Sequence, residues 1–287
     1  MKYLLLVFLL SVCLFSQCSP PKKSGSKELK VLKISLLPTD NADNMKRRYL
    51  PLINYLSKKL NIPHTVTIPG SYEEHLALFK DKKINLALFG GYTFVKASND
   101  FNARPLVIRD IDLEYSSFFL VRRESKARSI RDLKGGKLAF GPKLSTSGHL
   151  MPRQFLMKKR IRPEGFFSEI RYSASHDQSL KLLSERKVEL VAVDFIRAQQ
   201  AILGFRKGRG FARVLAQTKH YTDYVWAIQG EYSEEWITRV RDAFMDLSQE
   251  DPAEARILKD LNAKYYLPAG ESDFSAIREI LFFTGKN

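Results

Sequence analysis

Short apolar runs alternate with amphipathic helical stretches along this chain, and after about 120 residues the alternation starts again. This pattern limits the fold more than any other feature. "VLKISLLP" (31–38) is β-rich and ends at a proline. Residues 44–60 then place Tyr49, Leu52, Ile53, Leu56 and Leu60 at helical spacing. Pro51 suits a helix interior poorly, so the regular helix is expected to begin near it. Strands are expected at 64–69, 84–90, 103–110 and 115–123, with helices at 72–81 and 92–99. From residue 129 the pattern restarts with "KLAFG", "FSEIRYS", "VELVAVD", "ARVLAQT" and "YVWAIQ" as strands, the first four separated by helical segments. From Ser233 the chain reads as mostly helical. Strand–helix–strand order argues for parallel sheets with helices on both faces. The expectation is therefore α/β: two units in succession, a helical C-terminal tail, and no internal repeat. Ligands in such units sit in the crevice at the carboxyl ends of the strands. Two units facing each other would form a cleft.

The first residues follow a different logic. Met1-Lys2 is a short basic head, Tyr3 to Phe15 is almost wholly apolar, and a polar Ser-, Pro- and Lys-rich segment comes next. This reads as an export signal too short for a stable span. Cys18 sits where the apolar run gives way, as in a bacterial lipoprotein signal whose cysteine is lipidated. Residues 1–18 would be removed up to that cysteine, and 19–29 would form a flexible tether. Gln17 stands where a small residue is usual. Cys13 is a rival position, and plain secretion is an alternative. The chain's two cysteines both lie in this region, so the mature protein forms no internal disulfide and relies on its core.

With 47 Lys and Arg against 31 Asp and Glu, the formal net charge is +16. Such a balance often signals nucleic acid. In an exported chain with basic residues spread among acids, solvated faces and attraction to an anionic ligand or lipid fit better. No nucleic-acid partner is expected.

The stretch "LSTSG" (144–148) follows one strand and opens a helix. Helix N-termini present backbone N–H groups without intrahelical partners and the positive end of the dipole. The Ser145, Thr146 and Ser147 hydroxyls add donors, and Gly148 would let the chain approach a ligand. This combination can hold an oxyanion through neutral donors, or it can be a plain N-cap. Tyr72 and Tyr115 lie at strand–helix junctions or strand starts, and Tyr92 follows Gly90 and Gly91 at the end of strand 84–90. His176 opens a helix. Asp194 ends an apolar strand, where it would bind a ligand amine or cap the next helix. Asp223 precedes a strand as a hinge residue or a polar cleft contact. The five histidines show no metal spacing, and no Walker loop or G-x-S-x-G elbow occurs. No catalytic set, cofactor or metal is expected.

The stretches "INLALFGGYTFVKAS", "YSSFFLVRRES…SIRDLKGGKLAFG", "LSTSGHLMP" and "SASHDQSLKLLSERKVELVAVD" occur in that order. Together they resemble the phosphonate/phosphite/phosphate-type substrate-binding proteins of ABC importers, across roughly residues 31 to 285. The resemblance implies a type II periplasmic-binding-protein fold, in which two α/β lobes joined by two crossover strands close on a small ligand. Lobe 1 would be 30–117 with 225–287, and lobe 2 would be 118–224. It further implies that Ser145, Thr146 and Ser147 bind phosphonate-like oxygens, with Tyr72, Tyr115 and His176 reaching the ligand head. The family position for the acid that holds a ligand amine falls nearest Ile196, with Asp194 two residues earlier, so an aminophosphonate is not implied. Gly91, where the family often has proline, is a minor departure. The expected protein is a monomer held in the cell envelope by its lipid. It would bind a small anion and deliver it to an ABC permease by hinge closure. A sensor feeding a receptor kinase is the alternative, and a hydrolase using Ser145 or Ser147 a more distant one.

Overall fold

The structure, a computed structural model, describes residues 27–204 and 210–284. The export signal, Cys18 and tether residues 19–26 lie outside the described residues, as do 205–209 in the basic turn. Residues 27–29, expected within the tether, are docked instead. The Lys27 N–H donates to the Glu231 carbonyl at 3.2 Å, and Leu29 is buried in the core.

Eleven strands are described: β1 Leu32–Leu36, β2 His64–Thr67, β3 Leu86–Phe89, β4 Ala103–Arg109, β5 Phe118–Arg122, β6 Lys137–Phe140, β7 Glu169–Tyr172, β8 Leu190–Val193, β9 Ala212–Gln217, β10 Val225–Gln229 and β11 Tyr266–Pro268. They form two sheets, ordered β11-β4-β10-β3-β1-β2 and β7-β6-β8-β5-β9. The sheets are mixed, which corrects the all-parallel expectation. β1 runs parallel to β2 and β3, whereas β10 is antiparallel to both β3 and β4. In the second sheet β6 is parallel to β7 and β8, whereas β5 is antiparallel to β8 and β9. The cause is connectivity. β5 and β10 are the strands by which the chain enters the second sheet and returns to the first. Each enters from the opposite end to the strands that βαβ units supply. β11 is a short edge strand inside the tail that periodicity read as helical.

The first long helix, Ala42–Leu60, starts nine residues before Pro51 and carries the proline in its interior. Its buried residues, Met45, Tyr49, Leu52, Ile53, Leu56 and Leu60, continue through the proline on one face, while Pro51 itself is exposed. Burial of six apolar side chains at ~1.5–3 kcal/mol each outweighs the ~3 kcal/mol that an interior proline costs. The Asn41 side chain caps the helix by accepting the Asn44 N–H at 2.9 Å.

β10 lies centrally in the first sheet with all five residues buried. Its Trp226 packs against Phe244 of helix Glu234–Met245 at 5.3 Å and against Tyr49 at 6.2 Å. The second sheet carries a core on each face, one around Phe119, Phe140 and Leu156 and the other around Leu183, Val191 and Ala198. Two segments join the lobes side by side. Tyr115 and Tyr221 exchange backbone hydrogen bonds at 2.9 and 3.0 Å, and the Ser117 N–H donates to Thr218 Oγ1 at 2.9 Å. Next to this hinge, Arg109 is buried in a two-pronged pair with Asp112 (Nε–Oδ2 and Nη2–Oδ1, both 2.7 Å), and its Nη1 donates to the Leu261 carbonyl. Among the described residues no helix is long and apolar enough to cross a membrane.

Candidate functional site

The carboxyl ends of β3, β6 and β8 point into the space between the lobes; the helical turns after β3 and β6 are buried, while the helix after β8 starts with the exposed Phe195 and buries Arg197. After β6 the chain turns at Gly141 and Pro142, and Ser145 caps the next helical turn. Its Oγ accepts the Gly148 N–H at 2.9 Å. That turn, Thr146–Leu150, is wide, with the Leu150 N–H reaching back to the Ser145 carbonyl at 3.0 Å, before helix Met151–Lys158 tightens. Such wide turns recur at functional positions. Thr146 and Ser147, first in the turn, have no carbonyl one turn back to receive their N–H groups. Gly148 is required here, but for a protein contact. A Cβ there would lie 2.8 Å from His176 Cε1 and 3.0 Å from Gly141 Cα, so its small size lets the turn pack on His176 and the Gly141 backbone.

Ser145, Thr146 and Ser147 are each at most 3% exposed, and the first two reach across to the other lobe. Ser145 pairs with the Tyr72 hydroxyl, which opens helix Tyr72–Lys80. Thr146 Oγ1 accepts the Tyr92 N–H at 3.0 Å, and its hydroxyl also pairs with the Asp223 carboxylate. Tyr92 thus meets the loop through its backbone. Ser147 pairs with Tyr221, whose hydroxyl lies 2.6 Å from Ser117 Oγ. Tyr115 stands with its ring edge-on to Tyr221 and Tyr224, and its buried hydroxyl has no hydrogen-bond partner. Burial raises the hydroxyl pKa of Tyr72, Tyr115, Tyr221 and Tyr224, so all four remain neutral O–H groups.

His176 opens helix His176–Ser184 and is fully buried. The Asp194 N–H points at its Nδ1 at 3.3 Å, and its Nε2 faces Ser145 Oγ at 3.3 Å. With Nδ1 accepting, the ring proton sits on Nε2 and is directed at Ser145. Burial lowers the His176 pKa despite the nearby Asp194, so the ring is neutral. This arrangement also bears on the serine-nucleophile reading. A general base needs its lone pair toward the hydroxyl and an acid on the far nitrogen. Here Nε2 carries the proton, and the Asp194 carboxylate approaches that same nitrogen at 3.8 Å. His176 is a donor, not a base for Ser145.

Asp194 caps helix Phe195–Leu203 through the Arg197 N–H at 2.8 Å. Burial alone would raise its pKa, but the Arg197 guanidinium at 3.6 Å holds it below the ordinary carboxylate value. Asp223 behaves in the opposite way. Burial pushes its carboxyl up to about 7, even though it accepts the Gly91 N–H at 2.8 Å. Gly91 is therefore more than a minor departure from the family's proline, because proline would have no N–H for Asp223. Among the described residues no group of His, Cys, Asp and Glu is placed to hold a metal ion.

All the residues singled out between 72 and 223 converge on one interlobe site. Three members escaped sequence reasoning. Arg197 lies in "FIRAQQAILG", where an arginine reads as a solvated helix residue. Tyr221 and Tyr224 flank Asp223 in "YTDY", and that aromatic density between two strands was the available signal.

A family model described as the periplasmic substrate-binding protein of phosphonate ABC transporters matches residues 34–274. A probable ABC transporter phosphite-binding protein, PhnD1 of Prochlorococcus marinus, is 28% identical over 282 residues, 94% of each chain. The phosphate-import protein PhnD of Mycolicibacterium smegmatis is 27% identical over 182 residues, covering 58% of this chain and 57% of that one. Among solved structures, Prochlorococcus marinus PhnD1 in complex with methylphosphonate superposes with a TM-score of 0.83 at 26% identity, over 90% of this chain and 99% of that one. A phosphonate-transporter binding component from Pseudomonas aeruginosa shares the fold, with a TM-score of 0.81 at 17% identity, over 90% and 87% of the two chains.

Proposed function

The chain belongs to the phosphonate-type periplasmic substrate-binding proteins of ABC transporters, a family of transport proteins and not of enzymes, and from that premise we propose that it captures a small phosphorus oxyanion between its lobes. The observation that carries this reading is the set of uncharged donors around Ser145–Ser147. These comprise three hydroxyls on an open helix turn, the Nε2–H of His176, and the tyrosine hydroxyls that face them. No Lys or Arg is among these donors. Hydrogen bonds to an ionised group are worth about 1.5–3 kcal/mol each, so a few bind an anion firmly while still allowing release. Asp223 fits the same reading. With its carboxyl near 7 it can share a proton with an oxyanion that carries one hydroxyl.

The ligand first meets one lobe, and contacts such as Tyr92 N–H to Thr146 then favour closure. Lobe 1 would comprise 30–117 and 225–287, and lobe 2 residues 118–224. The closed monomer docks on an ABC permease, kept near the membrane by a lipid on Cys18. It catalyses no reaction. The Prochlorococcus relative's phosphite assignment and its methylphosphonate complex support phosphite and methylphosphonate as the first candidates. A thermal-shift panel of phosphite, methylphosphonate, phosphate and aminoethylphosphonate tests this. At 100-fold excess over Kd, binding adds about 2.7 kcal/mol, or a rise of about 5–10 °C in Tm. A panel in which no oxyanion shifts Tm, while an uncharged metabolite does, rejects the ligand class.

A further inference from the structure

Arg197 is, at 2% exposure, the most deeply buried arginine among the described residues, and it bridges the two lobes. On its own lobe it faces Asp194 at 3.6 Å and Asp177 at 3.5 Å. From the other lobe it takes two acceptors at the carboxyl end of β1. Its Nη2 donates to the Thr39 carbonyl at 2.7 Å and lies 3.3 Å from Asp40 Oδ2. Both acceptors are held in place. The Thr39 N–H turns back onto the Leu37 carbonyl at 2.8 Å, and Asp40 Oδ1 accepts from Asn41 N and Asn44 Nδ2 at 2.7 and 3.0 Å. The Arg197 Nε makes no hydrogen bond. A buried guanidinium with an unused donor is costly unless its remaining bonds hold. Those bonds need partners from both lobes at once.

We propose that Arg197 is an interlobe latch. It neutralises Asp194 in the site and, with the same guanidinium, grips Thr39 and Asp40 across the cleft, so that it stabilises the closed arrangement. The planar fork suits this task, because one side chain can satisfy acceptors in different directions. The latch is a positioning residue and need not touch the ligand. The proposal rests on the oxyanion-capture reading only for its binding readout.

Asp40→Asn is the cleaner variant, since it weakens the grip and leaves the Arg197–Asp194 pair in place. Arg197→Lys keeps the charge and loses the fork. The interlobe distance is measured by spin labels, one on each lobe away from the cleft, in the mature protein without added anion. A closed fraction in wild type should fall severalfold in both variants. Release of methylphosphonate, followed by stopped flow, should quicken about tenfold in each, with the association rate changed less than twofold. Circular dichroism confirms that both variants fold. Identical distance distributions in wild type and both variants overturn the latch, as does a closed fraction that falls in neither. Failure of wild type to bind methylphosphonate or phosphite sinks the ligand reading instead, and the distance measurement still decides the latch.

Discussion

Asp223 offers the sharpest physical test of how this site is built. Its side chain is 1% exposed and accepts the Gly91 N–H and the Thr146 hydroxyl. Burial moves its carboxyl from the ordinary 3.8 to about 7 in the folded protein. That is roughly a thousandfold change in proton affinity, about 4 kcal/mol. The folded state holds this proton more tightly than the unfolded state. The stabilisation is therefore fully present below about pH 4, where both states are protonated, and is lost as pH rises through about 7. Asp223→Asn keeps the oxygen that faces Gly91 and carries no charge at any pH. Calorimetric unfolding of both proteins, ligand-free at pH 5 and pH 8.5, compares them directly. At pH 5, where the unfolded carboxyl is already ionised and the folded one is not, the asparagine variant should lead by only about 1.5 kcal/mol. At pH 8.5 the asparagine variant should be more stable by up to about 4 kcal/mol, which for a chain of this size is a gap of about 10 °C in Tm. Because every other titrating group is common to the two proteins, the change in the gap isolates Asp223. An equal gap at both pH values would refute the argument that Asp223 is buried at a charge penalty.

Other consequences arise from named contacts. Asp112→Ala strips the buried Arg109 of its paired carboxylate and should lower unfolding free energy by about 3–5 kcal/mol in urea titrations. Ser145→Ala combined with Thr146→Ala removes two hydroxyls from the first turn. It should weaken methylphosphonate binding about 100-fold or more by titration calorimetry with an unchanged circular dichroism spectrum, and wild-type affinity in that double variant would count against the loop. Gly148→Ala brings a methyl group within 2.8 Å of His176 Cε1 and 3.0 Å of Gly141 Cα. It should cost about 1–3 kcal/mol of stability and shift the His176 ring resonances in NMR spectra.

The sequence was informative where chemistry is local and silent where it is made by topology. The S-T-S-G turn, the helix-opening His176 and the strand-ending Asp194 could be read because caps and strand ends leave short-range signatures. The strand–helix alternation likewise showed two α/β units. The antiparallel placement of β5 and β10 was hidden, because it arises from which lobe the chain has just left, and no residue pattern encodes that. Pro51 misled because local propensity was weighed without the six buried residues that carry the helix through it. Arg197 was missed for a related reason. A helix arginine is ordinarily solvated, and only the approach of Thr39 and Asp40, more than 150 residues earlier in the chain, encloses it. Gly148 was noticed for the right property, small size, but the close neighbours are His176 and Gly141.

The crystal structure of the mature protein grown with methylphosphonate tests the central claim most directly. The account predicts phosphonate oxygens within about 3 Å of the Ser145, Thr146 and Ser147 donors, enclosed by Tyr72 and His176. Phosphonate density instead in a second groove, the one lined by Asn44, Pro69, Ser175 and Lys181, with the Ser145–Ser147 turn making no contact to it, would contradict the account.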